Sequence, residues 1–377
     1  MADRKVTRRK FVQTGAAAAA GVVAAGAASQ LSAADKGKIR SYNPDMEYRP
    51  CGKTGLMVSA VALGGHWKRV DKMVPGVFKG RGWLSADLND AGFQKNRYDV
   101  VTQCIERGIN WIDACTVQEV KAYSKALEGR RDKMHLAFSW YQEEMRSLGG
   151  QWQKAKKSGK PKPAGWMTQK LMDALDKGFR ETGLEYVDLW RPTMHEQSIK
   201  HGNDEVEEMM RALEKAKKQG KARFTGFSSH HREHIKWMIE TYPQVVDIVV
   251  TPYTAKTKAM PGDNLFKTLA KYKVGFFGIK PFAGTSLFKG DSSPQSPHAE
   301  EDDRRARLAI RYILCNPTIT APIPGIINPH QVDNVAKAVA ERRKLDVAEA
   351  KELEEAMDEA WAKLPDDYQW LKDWEYV

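Results

Sequence analysis

The sequence predicts one α/β domain of the parallel (β/α)8 barrel class, and two observations carry this prediction. Eight short apolar runs alternate along the chain with amphipathic stretches, and these two patterns are typical of buried strands and surface helices. Neighbouring parallel strands need a crossover helix, and right-handed crossovers can close such a sheet into a barrel. The 377 residues are 42% hydrophobic and 29% charged, which provides enough apolar side chains for one large core.

The predicted elements follow one another in a regular order. A hairpin-like segment covers residues 47–59, with Gly52 and Gly55 at its turn. The predicted strands are 60–65, 110–114, 135–140, 186–195, 222–229, 245–254, 274–282 and 319–325. The predicted helices are 98–107, 121–127, 168–182, 204–218, 232–242, 265–272, 303–315 and 329–339. An extra C-terminal helix over 347–363 and an aromatic tail over 368–377 are expected to pack on or across the barrel.

Two long loops mark the face on which chemistry is expected. In a barrel of this class, active sites lie at the carboxyl ends of the strands. Residues 66–97 follow the first strand, and residues 141–167 follow the third. Loops of this length are usually functional lids or disordered segments. Their aromatic side chains either stack on a sugar or aryl ring or anchor the loops to the barrel; they are Trp67, Phe78, Trp83, Trp152 and Trp166.

The charge pattern does not indicate a nucleic-acid partner. The formal net charge is +12, but the basic residues are spread along helices, as on a solubilising surface. One basic run, residues 154–163, contains glycine and proline and is predicted to be a flexible loop. No zinc-finger, homeodomain or RNA-recognition pattern accompanies it, so binding to nucleic acid is not expected.

The cysteines do not show the spacing of a metal site. None of Cys51, Cys104, Cys115 and Cys315 belongs to a C-x-x-C pair, and the sequence therefore predicts no metal or iron–sulfur ligation. Cys104 and Cys315 fall on the apolar faces of predicted helices, where a buried thiol acting as a small hydrophobic group is expected.

The first 34 residues are typical of an export signal. Residues 7–12 (TRRKFV) supply paired arginines, an uncharged Ala/Gly-rich stretch covers 15–28, and small residues at 32–34 offer a cleavage site. This apolar stretch is too short and too weakly hydrophobic for a stable membrane span, which needs about 20 apolar residues. The arginine pair resembles a twin-arginine signal. The sequence thus predicts export to the periplasm or beyond by the twin-arginine machinery, a linker over 35–46 and a barrel domain over 47–377.

A series of short motifs resembles one protein family. The motifs are 48–59 (YRPCGKTGLMVS), 63–65 (LGG), 108–113 (GINWID), 125–133 (KALEGRRDK), Gly220-Lys221 ahead of 226–228 (GFS), and 323–325 (IPG) with Gln331-Val332 and Asn334. Over roughly residues 47–357 they resemble the aldo-keto reductase family in order and spacing. The resemblance implies a TIM barrel that transfers hydride between NADPH or NADH and a carbonyl or alcohol substrate.

The resemblance also implies a catalytic set of Asp, Tyr, Lys and His, and here most of it is replaced. The Asp corresponds to Asp113, whereas the position of the proton-donating Tyr holds Gln118. The Lys position holds Ser139, and the His position holds Thr193. Because an unperturbed tyrosine with a pKa near 10 is a poor acid at neutral pH, the family needs its Lys and Asp to tune that group.

Two neighbouring side chains offer replacements. Residues two apart on a strand point to the same face, so His195 points with Thr193, and Tyr141 with Ser139. His195 is preferred because an imidazole at a strand end can act as acid or base near neutral pH, although a histidine there can also simply stabilise its loop. The predicted catalytic residues are Asp113, His195 and Gln118.

The cofactor-binding positions that the resemblance implies lie after four strands. They are Gly65, the pair Ser228 and Ser229, the turn Lys280, Pro281 and Phe282, and a last group of Gly325, Ile327, Asn328, Gln331 and Asn334. The turn corresponds to the family's pyrophosphate loop, and the last group to its adenosine site, where backbone N–H groups at a helix start favour an anion. Ile327 stands where the family often has Arg or Lys for the 2′-phosphate. That replacement weakens the case for NADP over NAD.

Three functions stay open. The first is an exported oxidoreductase with a rearranged acid/base set, and it is the prediction. The second is a barrel without redox chemistry that binds or isomerises a ligand such as a sugar, and the third is a structural or partner-binding protein. Loss of the Tyr and Lys counts against the first, but positioning and electrostatics can support hydride transfer without them. A cofactor retained tightly within the protein would need no regeneration outside the cytoplasm.

Overall fold

The fold is seen in a computed structural model that describes residues 36–194, 197–257, 265–293, 295–341 and 343–372. A two-stranded antiparallel hairpin precedes an eight-stranded sheet. The hairpin is β1 (Tyr48–Pro50) and β2 (Met57–Ser59), and the sheet is β3 (Leu63–Gly64), β4 (Trp111–Ala114), β5 (His135–Phe138), β6 (Val187–Trp190), β7 (Ala222–Ser228), β8 (Ile248–Pro252), β9 (Gly275–Ile279) and β10 (Ala321–Ile323).

The eight strands are parallel, lie in chain order and form a nearly closed barrel. The first and last strands meet through the backbone, since the N–H of Ala62 donates to the carbonyl of Pro322 at 3.0 Å and the N–H of Gly64 to that of Pro324 at 2.8 Å. Gly64 also forms a parallel bridge with Gly325. The predicted (β/α)8 TIM barrel with an N-terminal hairpin is confirmed.

Helices pack around the barrel and connect its strands. They are α1 (Ala91–Glu106), α2 (Val117–Ala126), α3 (Met145–Lys157), α4 (Trp166–Thr182), α5 (Asn203–Lys218), α6 (Arg232–Thr241), α7 (Leu265–Tyr272), α8 (Ala299–Leu314), α9 (Pro329–Ala340) and α10 (Val347–Ala362). Among the described residues, no helix is long and apolar enough to cross a bilayer.

One helix occupies a segment that the sequence analysis assigns to a loop. The basic run begins inside α3, and its residues Lys154 to Lys157 form the last turn of that helix, so the prediction of a flexible loop is wrong for this part. Met145, Leu148 and Trp152 bury one side of α3. Lysines in a last turn interact favourably with the negative end of the helix dipole.

Side chains of the described residues fill the barrel interior. Trp111 of β4 stacks on Phe277 of β9 with ring centroids 4.5 Å apart. Cys51 and Val58 from the hairpin join this inner cluster. Gly52 fits against the sheet so closely that an added Cβ would lie 2.4 Å from the backbone nitrogen of Gly275, so the hairpin covers the amino end of the barrel.

The buried carboxylate of Asp188 in β6 is surrounded by three arginines and a histidine. It accepts from Arg40 at 3.2 Å, Arg131 at 2.7 Å and Arg223 at 2.8 Å, and His135 lies 3.3 Å away. Burial opposes its ionisation, but Arg40, Arg131 and His135 together hold the pKa of Asp188 well below its usual range. Arg40 lies in the predicted linker, so this pairing ties that segment to the barrel.

The long loops are held mainly by their aromatic side chains. Trp67 is fully buried and packs edge-on against Phe93 and Tyr123, at centroid distances of 5.3 and 5.8 Å. Trp152 is also buried and lies 6.1 Å from Trp166. Anchoring therefore accounts for Trp67 and Trp152.

The two cysteines predicted to be buried differ. Cys104 of α1 is fully buried, as predicted, whereas Cys315 is exposed. The prediction for Cys315 is wrong because this residue caps the carboxyl end of α8 instead of lying on its buried face.

Candidate active site

Two cavities meet at the carboxyl ends of the strands. The first, about 280 Å³, lies over the barrel mouth, and the second, about 530 Å³, reaches the first residues of α8 and α9. Both are lined by His66, Lys68, Phe282, Thr285, Phe288 and Gly325. The shared lining makes them one elongated channel.

A buried ion pair forms the floor of the first cavity. Asp113, in β4, is 4% exposed, and Arg191, directly after β6, is 2% exposed. Nε of Arg191 donates to Oδ1 of Asp113 at 2.7 Å and Nη2 donates to Oδ2 at 2.5 Å. This is the two-pronged geometry in which a guanidinium and a carboxylate bind each other most strongly.

Ser139 and Thr193 hold the positions that the resemblance assigns to Lys and His, and their hydroxyl groups are hydrogen-bonded to each other, that of Thr193 also to Arg191. Nη1 of Arg191 donates to Oγ1 of Thr193 at 3.0 Å, and Oγ of Ser139 lies 3.1 Å from the same oxygen. Ser139 donates to the fully buried Glu144 at 2.5 Å. Burial raises the pKa of Glu144 above its usual value, against the opposing effect of the hydrogen bonds it accepts. Arg191 is thus the cation that lies beside Asp113.

A second polar cluster lies at the edge of the same cavity and consists of His66, Cys115 and Glu119. Oε1 of Glu119 accepts from the His66 backbone N–H at 2.6 Å and from His66 Nδ1 at 2.8 Å, while Oε2 accepts from the Cys115 N–H at 2.6 Å. The thiol sulfur of Cys115 is 3.7 Å from His66 Nδ1. Burial opposes ionisation of Glu119, but His66 and the two backbone donors hold its pKa below the usual value.

Local structure explains why these three residues meet. Thr116 caps α2 by accepting from the N–H of Glu119, which points the glutamate back over the helix start. Gly65 leaves room for it, since a Cβ there would lie 2.0 Å from the carboxyl carbon of Glu119. His66 has a positive φ of 50°, which is strained for a residue with a side chain. The ring of Trp83 lies 4.4 Å from the His66 ring and covers it.

Two lysines that line the first cavity lie against the ring of Tyr368. Nζ of Lys280 is 3.4 Å from the hydroxyl of Tyr368, and Nζ of Lys68 lies 4.3 Å from the centre of that ring. Burial favours the neutral phenol, but the two ammonium groups outweigh it and lower the pKa of Tyr368. The ring also packs on Gly284, where a Cβ would come within 2.7 Å. The turn beneath is strained, because Lys280 and Thr285 have φ values of 64° and 94°.

The far end of the channel lies at the start of α9. Asn328 caps this helix by accepting from the N–H of Gln331 at 2.8 Å, and Gln331 in turn accepts from the N–H of Ile327 at 3.0 Å. Arg69 and His330 line the same cavity.

Most of the predicted site residues line the channel. In the first cavity these are Gly65, Asp113, Ser228, Lys280, Pro281, Phe282 and Gly325, and in the second Phe282, Gly325, Ile327, Asn328, Gln331 and Asn334. Ser229 lines neither cavity; it is buried and donates to Ser198 at 2.6 Å. Gln118 also lines neither and accepts from Gln142 at 2.8 Å. His195 lies outside the described residues.

The sequence analysis did not single out Arg191, His66, Glu119 or Tyr368. Arg191 is a charged residue directly after the apolar run of β6, and Glu119 stands three residues after Thr116, the spacing of an N-cap and an N3 glutamate. No sequence signal places Tyr368 over the turn that follows β9.

An eight-stranded parallel barrel with an elongated channel across its carboxyl face defines a TIM-barrel protein with a ligand site at that end. Residues 85–358 match the Aldo/keto reductase family. The chain belongs to this family.

Comparison with individual proteins gives distant relatives. L-galactose dehydrogenase of Arabidopsis thaliana is 24% identical over 195 residues, which cover 47% of this chain and only 60% of that protein. The holo form of an aldo-keto reductase from Bacillus halodurans is 19% identical, with a TM-score of 0.56, over 82% of this chain and 96% of that chain. An aldo-keto reductase from Klebsiella pneumoniae in complex with NADPH is 16% identical, with a TM-score of 0.56, over 82% and 94%. At these identities the structural likeness shows the fold.

Proposed function

We propose that the protein is an NAD(P)-dependent oxidoreductase that interconverts a carbonyl compound and an alcohol. The observation that supports this proposal is the channel, which runs from the Asp113–Arg191 pair to the start of α9. Its two joined parts suit an elongated dinucleotide whose reactive end lies over the barrel mouth. When bound, the cofactor supplies or accepts the hydride.

The residues present fit such a cofactor. Lys68 and Lys280 both place an ammonium group beside the Tyr368 ring, where a pyrophosphate would lie, and Lys68 also pairs with the exposed Asp367 at 3.5 Å. The start of α9 presents the positive end of a helix dipole at the far end. Arg69 lines that end too, together with Asp302 and with His330, which is paired with Asp303. Arg69 is therefore the cation that could face a phosphate there despite Ile327. The Klebsiella relative is complexed with NADPH.

The chain's own residues would share the remaining work around the substrate. Arg191 and Asp113 hold each other rigid, and such preorganised charges stabilise charge that develops in a reaction. His66 and Cys115 line the same cavity. We infer that polar residues lining the first cavity polarise the substrate oxygen, because Gln118 lines neither cavity. The acid/base set is therefore non-standard for the family.

A nucleotide-binding experiment tests this function. Purified protein lacking the signal should bind NADH or NADPH with micromolar or tighter affinity, as measured by quenching of tryptophan fluorescence, or should release nucleotide when denatured. Lys280→Ala should weaken binding by roughly 10-fold, because it removes one charge from the phosphate region. The control is Lys95→Ala, whose side chain is 74% exposed on α1. Absence of nucleotide in both assays would refute the function and leave a barrel with a different ligand.

We also propose that the protein is exported by the twin-arginine route. The supporting observation is the sequence of residues 1–34, which lie outside the described residues. Export of a folded protein would allow the cofactor to be acquired beforehand. Changing Arg8 and Arg9 together to lysine should leave unprocessed protein in the cytoplasm, whereas Lys10→Arg should be exported and cleaved. Fractionation with N-terminal sequencing distinguishes the two, and equal export of both variants would contradict the proposal.

A further inference from the structure

We propose that His66, Cys115 and Glu119 bind a divalent metal ion at the edge of the first cavity, and that zinc suits this donor set best. An imidazole nitrogen, a thiolate and a carboxylate are all zinc ligands. Three protein ligands with one position left for a water or substrate are the arrangement of catalytic zinc sites, whereas structural sites use four.

The distances between the three donor atoms fit one tetrahedral ion. All three lie within 4.8 Å of one another. His66 Nδ1 is 2.8 Å from Oε1 of Glu119 and 3.7 Å from Sγ of Cys115. Zinc bonds of about 2.0 to 2.3 Å at tetrahedral angles place ligand atoms about 3.3 to 3.5 Å apart. His66 Nδ1 and the Glu119 oxygen would separate by about 0.5 Å, and Sγ of Cys115, which lies within 4.8 Å of the glutamate donor, would approach it by up to about 1.3 Å.

The site is built in advance by the backbone around it. Backbone N–H groups of His66 and Cys115 each donate to Glu119 at 2.6 Å, and such outer contacts orient metal ligands in known sites. Only glycine at position 65 leaves space for the Glu119 carboxyl group, because a Cβ there would overlap it. The strained φ of 50° at His66 turns this residue toward the cluster, and strain of this kind gathers at functional sites.

A simple His66–Glu119 ion pair explains less. The ion pair explains why His66 lies beside the buried carboxylate of Glu119, because a buried charge needs a charge of opposite sign. The ion pair gives no role to the thiol of Cys115, although its sulfur lies 3.7 Å from Nδ1 of His66 and the residue lines the cavity. A metal ion would bind all three groups. Its fourth coordination position would be open to the cavity, since His66 and Cys115 both line it.

The catalytic consequence rests on the proposed function. An ion at this place would polarise the carbonyl oxygen as a Lewis acid, the role that a tyrosine at position 118 would otherwise fill. As hydride from NAD(P)H reaches the carbonyl carbon, the C=O electron pair moves to oxygen, which takes one proton from water. The products are the alcohol, NAD(P)⁺ and the hydroxide left by the water, which a proton from the solvent neutralises.

Metal binding is tested on the signal-free chain after treatment with a chelator. With zinc chloride, the wild type should take up one ion per chain, whereas Cys115→Ser and Glu119→Gln should weaken binding by at least about 100-fold. Cys315→Ser, at an exposed cysteine, is the matched control and should bind normally. Cobalt chloride should give a thiolate-to-cobalt absorption band in the wild type that Cys115→Ser lacks. Unchanged binding in Cys115→Ser, or no stoichiometric uptake by the wild type, would overturn the proposal.

A second measurement needs no variant and so does not depend on variant folding. Zinc should slow alkylation of Cys115 by iodoacetamide by at least about 10-fold while leaving Cys315 unaffected, as followed by peptide mass spectrometry. Equal alkylation of Cys115 with and without zinc would refute the site. Because zinc is measured without nucleotide, and NADPH binding on chelator-treated protein, failure of the metal site and failure of the oxidoreductase function give different results.

Discussion

Asp113→Asn is expected to lower kcat/KM for carbonyl reduction by at least about 100-fold, because it removes the charge that fixes Arg191 under the substrate. The same change should destabilise the protein by about 3–5 kcal/mol, since a guanidinium that is 2% exposed would lose its partner. The measurements are NAD(P)H oxidation with a panel of small carbonyl compounds and urea unfolding.

The double variant Asp113→Asn with Arg191→Gln separates the two effects. Without an unpaired buried charge, it should regain most of the lost stability. Its activity should remain as low as that of Asp113→Asn, because the preorganised pair is still absent. Full activity in either variant would show that the pair only stabilises the fold.

Asp188→Asn is expected to lower the free energy of unfolding by about 3–5 kcal/mol, the largest loss of stability that we expect away from the site. The change removes the carboxylate that Arg40, Arg131 and Arg223 share at the barrel wall. Glu128→Gln is the control, because its ion pair with Lys125 is exposed and should contribute about 0–0.5 kcal/mol. A loss below about 1 kcal/mol in Asp188→Asn would contradict this assignment.

The pH dependence of unfolding follows from the same cluster. The pKa of Asp188 is held well below its usual value, so its stabilisation is present above the unfolded pKa of about 3.9 and is lost as pH falls through the folded pKa. His135 acts at higher pH: burial lowers its pKa to about 4. Between pH 6.5 and 4 the unfolded state therefore binds a proton that the folded state does not, and stability falls as pH falls. In Asp188→Asn, the fall in the free energy of unfolding below pH 4 should be absent, as urea unfolding at stepped pH would show.

Local patterns were enough to predict the barrel. The alternation of apolar and amphipathic runs depends on the two- and 3.6-residue periods of strands and helices, and all eight strands lie within their predicted runs. The same motifs placed Asp113 and the residues around Lys280 and Asn328 on the channel. Helix α3 was missed because its glycine pair at 149–150 and its lysines resemble a loop, whereas its stability comes from burying Met145, Leu148 and Trp152 against its neighbours.

The sequence by itself determined the fold class, the order of the strands and the face that carries the site. Only the tertiary structure decided which side chains meet there. Arg191 reaches Asp113 across 78 positions of sequence, and His66 reaches Glu119 across 53. Sequence periodicity reports which face a residue occupies, but closure of the barrel brings distant strand ends together, and side-chain length and backbone conformation then select the partners.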